Sequence, residues 1–249
     1  MVVTSEASQE QFEPLLSRAL IYKGVAAFAA LMAACLLLLF AGHWFGQRLS
    51  LAGHTASNEL YRIRIGADTL SVPANVIRLR EQRMDGKVER LYLYLTWPQM
   101  QGYTEAERAR FDEPGEASAL IFLDISEATM SRDMSGRLEP IYHRLMTGEE
   151  KAFGYGLTLH KMKTDSGYGE EVLLTAPRKD EPDYVVRCVL PHNPAEVTSA
   201  DCQRDVHLGS GLSVLYRFSS KHISDWKHID AAIRQFVGNA LIQSQSEDR

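Results

Sequence analysis

Cys188 and Cys202 stand fourteen residues apart, either side of the turn-rich stretch Pro191 to Ala200, and are the only cysteines in the large C-terminal part of the chain. That spacing suits a disulfide joining two strands in an oxidising compartment; two buried free thiols in a cytoplasmic domain are the alternative. Neither cysteine belongs to a CxxC pair, so the pattern is not that of a zinc ribbon or a thioredoxin-like site. The eight histidines, His43, His54, His143, His160, His192, His207, His222 and His228, are scattered without metal-ligand spacing. No metal and no cofactor are expected.

Nucleophilic chemistry has equally little local support. Gly209-Ser210-Gly211 lacks the flanking residues of a nucleophile elbow, and Gly154, Gly156, Gly167 and Gly169 fall around strands and a turn, where they serve backbone geometry. The acidic pairs Glu149-Glu150, Glu170-Glu171 and Asp180-Glu181 lie beside turns and read as solvated loop charge, because a catalytic carboxylate needs burial. Asp124, His143 and His207 could form a hydrolytic site only if the fold brought them together. Trp97-Pro98, with Met100 and Tyr103, is an aromatic cluster leaving a strand, read either as packing or as an interaction surface.

The elements that must position these residues begin with Gly24 to Gly42, nineteen residues without a charge. At about 1.5 Å per residue a helix of that length spans the roughly 30 Å hydrocarbon core of a bilayer. Tyr22 and Lys23 before it, and His43, Trp44, Phe45 and Arg48 after it, resemble interfacial anchors. A cleaved signal peptide has a shorter apolar region, so an uncleaved anchor is the reading adopted, with Cys35 inside the span. Basic residues tie across it, Arg18 and Lys23 against Arg48 and Arg62. The cysteine pair breaks the tie and places the C-terminal part in the bacterial periplasm, with the N-terminus in the cytoplasm. No Asn-x-Ser/Thr acceptor argues for a glycosylating lumen instead.

The expected organisation is a cytoplasmic tail at 1–20, a transmembrane anchor at 21–46, a linker at 47–57, an exported domain at 58–245 and a polar tail at 246–249. Within the domain, Tyr61 to Ile65 and Thr69 to Val72 alternate as a hairpin, and Val88 to Thr96, apolar on both faces, reads as a central strand. Ala119 to Ile125, Gly154 to His160, Glu170 to Thr175, Tyr184 to Leu190 and Leu212 to Phe218 are further strands, while Val76 to Arg80 is a short strand or an irregular connection. Thr104 caps a short helix, and another starts near Leu138. The last helix is the clearest: Ser224 as N-cap, then Trp226, Ile229, Ile233, Phe236, Val237 and Leu241 along one stripe. Hairpins followed by a terminal helix give an α+β class: one N-terminal transmembrane helix, a mainly antiparallel sheet domain and a C-terminal amphipathic helix.

A formal charge of −5, from 27 basic and 32 acidic residues, offers no basic field for a nucleic-acid backbone. With the bilayer as one partner, the expected function is a periplasmic binding or assembly accessory of an envelope or membrane protein complex. A membrane-tethered envelope hydrolase and an inhibitor or immunity-type protein are the alternatives, the last predicting a protruding acidic or aromatic loop.

Overall fold

The computed structural model describes residues 18–51, 53–113 and 115–242, so the expected tails lie largely outside it, as do the side chains of His43, Trp44, Phe45 and Arg48. The chain divides into two compact units, Met1–Ala52 and Gly53–Arg249.

The first unit holds α1 (Arg18–Leu51). Its stretch Tyr22–Leu39 is long and apolar enough to cross a membrane, and none of it is buried. Leu31, Met32 and Leu36 to Leu39 all stand exposed, as expected of a helix apolar on every face and unlike a core helix. The helix continues through 47–51, where a linker was expected.

In the second unit, β1 (Leu60–Ile65) and β2 (Asp68–Pro73) form the expected hairpin, and β3 (Gly86–Lys87) adds to β1 in parallel. The larger sheet has eight strands: β4 (Arg90–Thr96), β5 (Leu120–Glu127), β6 (Met146–Gly154), β7 (Leu157–Met162), β8 (Val172–Ala176), β9 (Tyr184–Cys188), β10 (Cys202–Leu208) and β11 (Leu212–Phe218). Their order is β4-β5-β11-β10-β9-β8-β7-β6, with every neighbour antiparallel. This is the α+β class expected from the sequence.

One face of the large sheet carries the core. Leu91, Leu93, Leu95, Leu123, Val214 and Tyr216 point at the hairpin β1–β2 and at α4 (Trp226–Ala240), which lays Ile229, Ile233 and Val237 on them. Each such side chain contributes about 1.5 to 3 kcal/mol by leaving water. The hairpin is fixed to the sheet by Asp68, whose carboxylate accepts from the backbone N–H of Ser210 (2.9 Å) and Gly211 (3.0 Å) in the β10–β11 turn. Gly209 permits that approach: its φ is +62°, and a Cβ there would lie 2.7 Å from Asp68 Oδ1.

The eight strands are joined unevenly. β9 and β10 pair only at Cys188↔Cys202 and Gln203↔Arg187 before they diverge, and the disulfide Cys188–Cys202 sits on that joint. Past it, the fully buried Arg204 fills the gap: its Nη1 donates to Val185 O (2.7 Å) and Ser135 Oγ (3.0 Å), and Ser135 Oγ donates to Asp183 O (2.6 Å). Carbonyls that lose their ladder partner are thus satisfied by side chains. Arg204 Nε is paired at 2.9 Å with Asp230 of α4, which also accepts from Tyr216, Arg178 and Arg234. Burial alone would raise the Asp230 carboxyl, but Arg204, Arg234, Tyr216 and Arg178 together hold it well below the usual carboxylate range.

Several local expectations are corrected. β4 is not central; it ends the sheet, with Tyr94 of its second face packed on His54 and Phe111, and its edge is closed by the segment 74–83, where Gln82 accepts from Tyr92 N–H (3.0 Å) and donates to Arg90 O (2.7 Å). That segment is two 3₁₀ turns, Ala74–Val76 and Arg80–Gln82, with a single bridge Ile77↔Leu93. The Glu149-Glu150 pair lies on the exposed end strand β6 instead of a loop, and Gly154 to Gly156 forms the turn into β7. α4 starts one residue later than a Ser224 cap implies, after a 3₁₀ stretch Ser220–Asp225 in which Ser219 Oγ accepts from Lys221 N–H. Thr104 does cap its short helical stretch, Glu105–Glu107 followed by α2 (Arg108–Asp112). Around Pro140 the expected helix is a π turn, Leu138–Tyr142, followed by the single turn α3 (His143–Leu145).

The presumed linker is also tied down from Gly53 onward. The Arg83 guanidinium donates to Gly53 O, and His54 stacks on Tyr103 at 5.0 Å between ring centroids while its Nε2 lies 3.3 Å from Asp112. Burial lowers the His54 pKa, although Asp112 pulls the other way.

Candidate functional site

The sheet face opposite α4 is covered over β7, β8 and β9 by the segment carrying Met134, Leu138 and Tyr142, which forms a second small core with Met162, Leu173 and Val185. Over β5, β11, β10 and the Arg90–Tyr92 end of β4 the same face is open. Two rows of side chains cross it by register: Arg90, Ser126, Ser213 and His207 in one, Tyr92, Asp124, Leu215 and Asp205 in the next. Strand alternation puts these polar residues outward because their neighbours fill the core.

Here the surface sinks into a groove of about 230 Å³, with Asp124, Asp205, His207 and Ser213 among its walls. Two of its three carboxylates are held by guanidinium groups, Asp124 by Arg90 Nη1 at 3.1 Å and Asp205 by Arg137, and Glu127 is the third. Burial pushes the Asp124 carboxyl above its ordinary value, against the pull of Arg90 and Arg217, and its Oδ1 has no hydrogen-bond partner among the described residues. Met130 and Arg137 also belong to an adjoining recess of about 440 Å³ completed by Ser131, Arg132, Pro140 and Ile141. Met130 is 54% exposed and Ile141 39%, so this rim presents apolar side chains to solvent beside two arginines and no carboxylate.

The structure brings together two of the three residues considered for hydrolysis. Asp124 and His207 share the groove, whereas His143 stands exposed beyond it, 3.9 Å from Glu139. Asp124 and Asp205 are committed to arginines, and His207 has no acidic partner within ion-pair distance among the described residues.

Trp97, Met100 and Tyr103 do not line one open surface. Trp97 is 7% exposed and donates to Asp225 from its indole (3.3 Å), Tyr103 is 4% exposed under His54, and Met100 packs partly buried against the main core. The residues that build the groove rim, Arg90, Met130, Arg137, Asp205 and Ile141, were not singled out from the sequence. One signal was present: Gln203, Asp205 and His207 alternate with Cys202, Arg204, Val206 and Leu208, the pattern of a strand with one wet face.

No family model and no curated protein matches the sequence. Among solved structures, the chain is similar to Smlt3025, an immunity protein of the Stenotrophomonas maltophilia type IV secretion system, with a TM-score of 0.54 and 18% identity over 76% of this chain and 96% of that one. A looser similarity, TM-score 0.45 and 10% identity over 76% of this chain and 95% of that one, is to the Neisseria meningitidis iron-regulated outer membrane lipoprotein FrpD. The chain therefore shares its fold with the Stenotrophomonas immunity protein.

Proposed function

We propose that the protein is a single-pass inner-membrane protein whose periplasmic domain binds another envelope or membrane protein. The carrying observation is the apolar rim of Met130, Pro140 and Ile141 set beside Arg132 and Arg137 at the mouth of the groove. Its complement is a partner segment with a large apolar side chain next to a carboxylate: the apolar group fills the recess and the acid meets Arg132. The exposed apolar stretch of α1 supports the anchor, and the Cys188–Cys202 bridge supports the oxidising side of the membrane.

An inhibitory relation to the partner is the second reading, and one feature favours it. Tyr155, 62% exposed, tips the β6–β7 turn, with Glu149 and Glu150 exposed on the strand that leads into it. This is the projecting aromatic and acidic shape that plugs a site, and the fold is shared with an immunity protein.

Two measurements test the proposal. With Cys35→Ala removing the helix thiol, alkylation of unfolded, unreduced protein from intact cells is expected to leave Cys188 and Cys202 unlabelled until a reductant is added. Labelling of both before reduction would remove the support for a periplasmic domain. For the partner, a photo-crosslinking residue at position 141 of the full-length protein in its own membrane is expected to capture a protein adduct that Arg132→Glu reduces about tenfold, the effect of roughly 1.4 kcal/mol. Adducts only from position 155 would move the interface to the β6–β7 turn and favour inhibition; an adduct from 141 indifferent to Arg132→Glu would refute the charge-matched groove.

A further inference from the structure

A third cavity, of about 360 Å³, lies on the other side of the domain core, where Trp226, Lys227 and Arg234 of α4 face Arg178, Lys179 and Glu181 of the β8–β9 connection, with Asp230 among its walls. Its charge runs against that of the chain, which is −5 in total. Counting Arg204, which is bonded to Asp230, five cationic side chains meet two carboxylates, a local surplus of three positive charges.

The carboxylates cannot absorb that surplus. Asp230 already accepts four hydrogen bonds: Arg204 Nε (2.9 Å) and Tyr216 OH (2.7 Å) on Oδ1, Arg178 Nη2 (2.7 Å) and Arg234 Nε (2.9 Å) on Oδ2. Those four fill the lone-pair sites of one carboxylate. Glu181 meets Arg178 at 3.2 Å, but its side chain is 62% exposed, so water screens much of the attraction. Arg178, Arg204 and Arg234 therefore converge on a single negative charge, with Lys227 close by over the Trp226 ring at 5.3 Å. A further anion would relieve their mutual repulsion, and the half-buried setting of Arg178 and Arg234 weakens screening of the attraction to one.

We propose that this cavity binds a phosphate group, carried either by a small soluble phosphoester or by a phospholipid headgroup. Arginine forks and lysine ammonium groups together match the several oxygens of a phosphate, which offers more acceptors and more charge than a lone carboxylate. Trp226 closes one wall, held in place by its indole N–H donating to Tyr155 O at 3.0 Å. The Asp230 network holds Arg178 and Arg234 in position before any ligand arrives, so little ordering is required on binding.

The test uses the full-length protein. Calorimetric titration with glycerol 1-phosphate in neutral detergent, and with phosphatidylglycerol against phosphatidylcholine in nanodiscs, separates the two carriers. At least one phosphate probe is expected to bind with a dissociation constant at or below about 1 mM, weakening as salt is raised. Binding of glycerol 1-phosphate identifies a soluble phosphoester; selective binding of phosphatidylglycerol identifies a headgroup. Lys179→Gln with Lys227→Gln, which leaves every bond to Asp230 in place, is expected to weaken binding about tenfold without moving thermal unfolding. The proposal is overturned if neither probe binds by about 10 mM, if the double variant binds like the parent, or if a short acidic peptide binds as tightly as the phosphate probe.

Discussion

Asp230→Ala is expected to destabilise the folded domain by about 3 to 5 kcal/mol, the range for removing one partner of a buried ion pair. The loss exceeds that of a surface pair because Arg204 is fully buried and cannot turn to water, and because Tyr216 loses its acceptor in the same step. Urea unfolding of the full-length protein in detergent measures it; a loss below about 1 kcal/mol would mean that Arg204 is satisfied without the helix. The dependence on pH has a definite sign. A carboxyl whose folded pKa is depressed contributes stability that is fully present above its unfolded value of about 4 and is lost as pH falls toward the folded value. The gap between parent and Asp230→Ala should therefore be constant from neutral pH down to about 4 and narrow only in stronger acid.

Ile233→Ala is expected to cost about 2 to 5 kcal/mol through lost transfer energy and the cavity left behind. Ile233 is fully buried and stands between the fully buried Ile229 and Val237 on the face of α4 that meets the sheet, so truncation opens the void inside the core. The same denaturation series reads the loss. A change under about half a kcal/mol, with partner capture abolished, would instead assign the stripe to an interface.

The core-facing half of the fold was legible because it is periodic. Leu212, Val214, Tyr216 and Phe218 announce a strand, and the stripe from Trp226 to Val237 announces a helix, since burial on one face leaves a mark at each second or each third to fourth residue. β6 left no such mark: almost every side chain from Met146 to Gly154 is exposed, so nothing selects for alternation. The Ser224 cap failed because the preceding 3₁₀ turns move the start of α4, a difference of hydrogen-bond register that composition does not encode. The cysteine pair was readable since it brackets one connection. The groove was not, as Asp124, Asp205 and Arg137 come from separate elements and meet only through the strand order. Arg204 falls in phase with Cys202, Val206 and Leu208 on the inward side of β10 and is the most thoroughly buried charge among the described residues, but its partner Asp230 lies on a separate element, so the sequence alone does not show what neutralises it.

The narrow joint between β9 and β10 also bears on twist and on cooperativity. Neighbouring strands rotate by about 20 to 25° each, so eight continuous strands would accumulate roughly 150° and spread their hydrogen bonds out of line. Parting after two residue pairs releases that rotation at one place and leaves two four-strand ladders, β4-β5-β11-β10 and β9-β8-β7-β6, each free to keep its own handed curl. Amide exchange should follow this division, with slow blocks inside each ladder and a soft seam between them riveted by one covalent bond and one guanidinium.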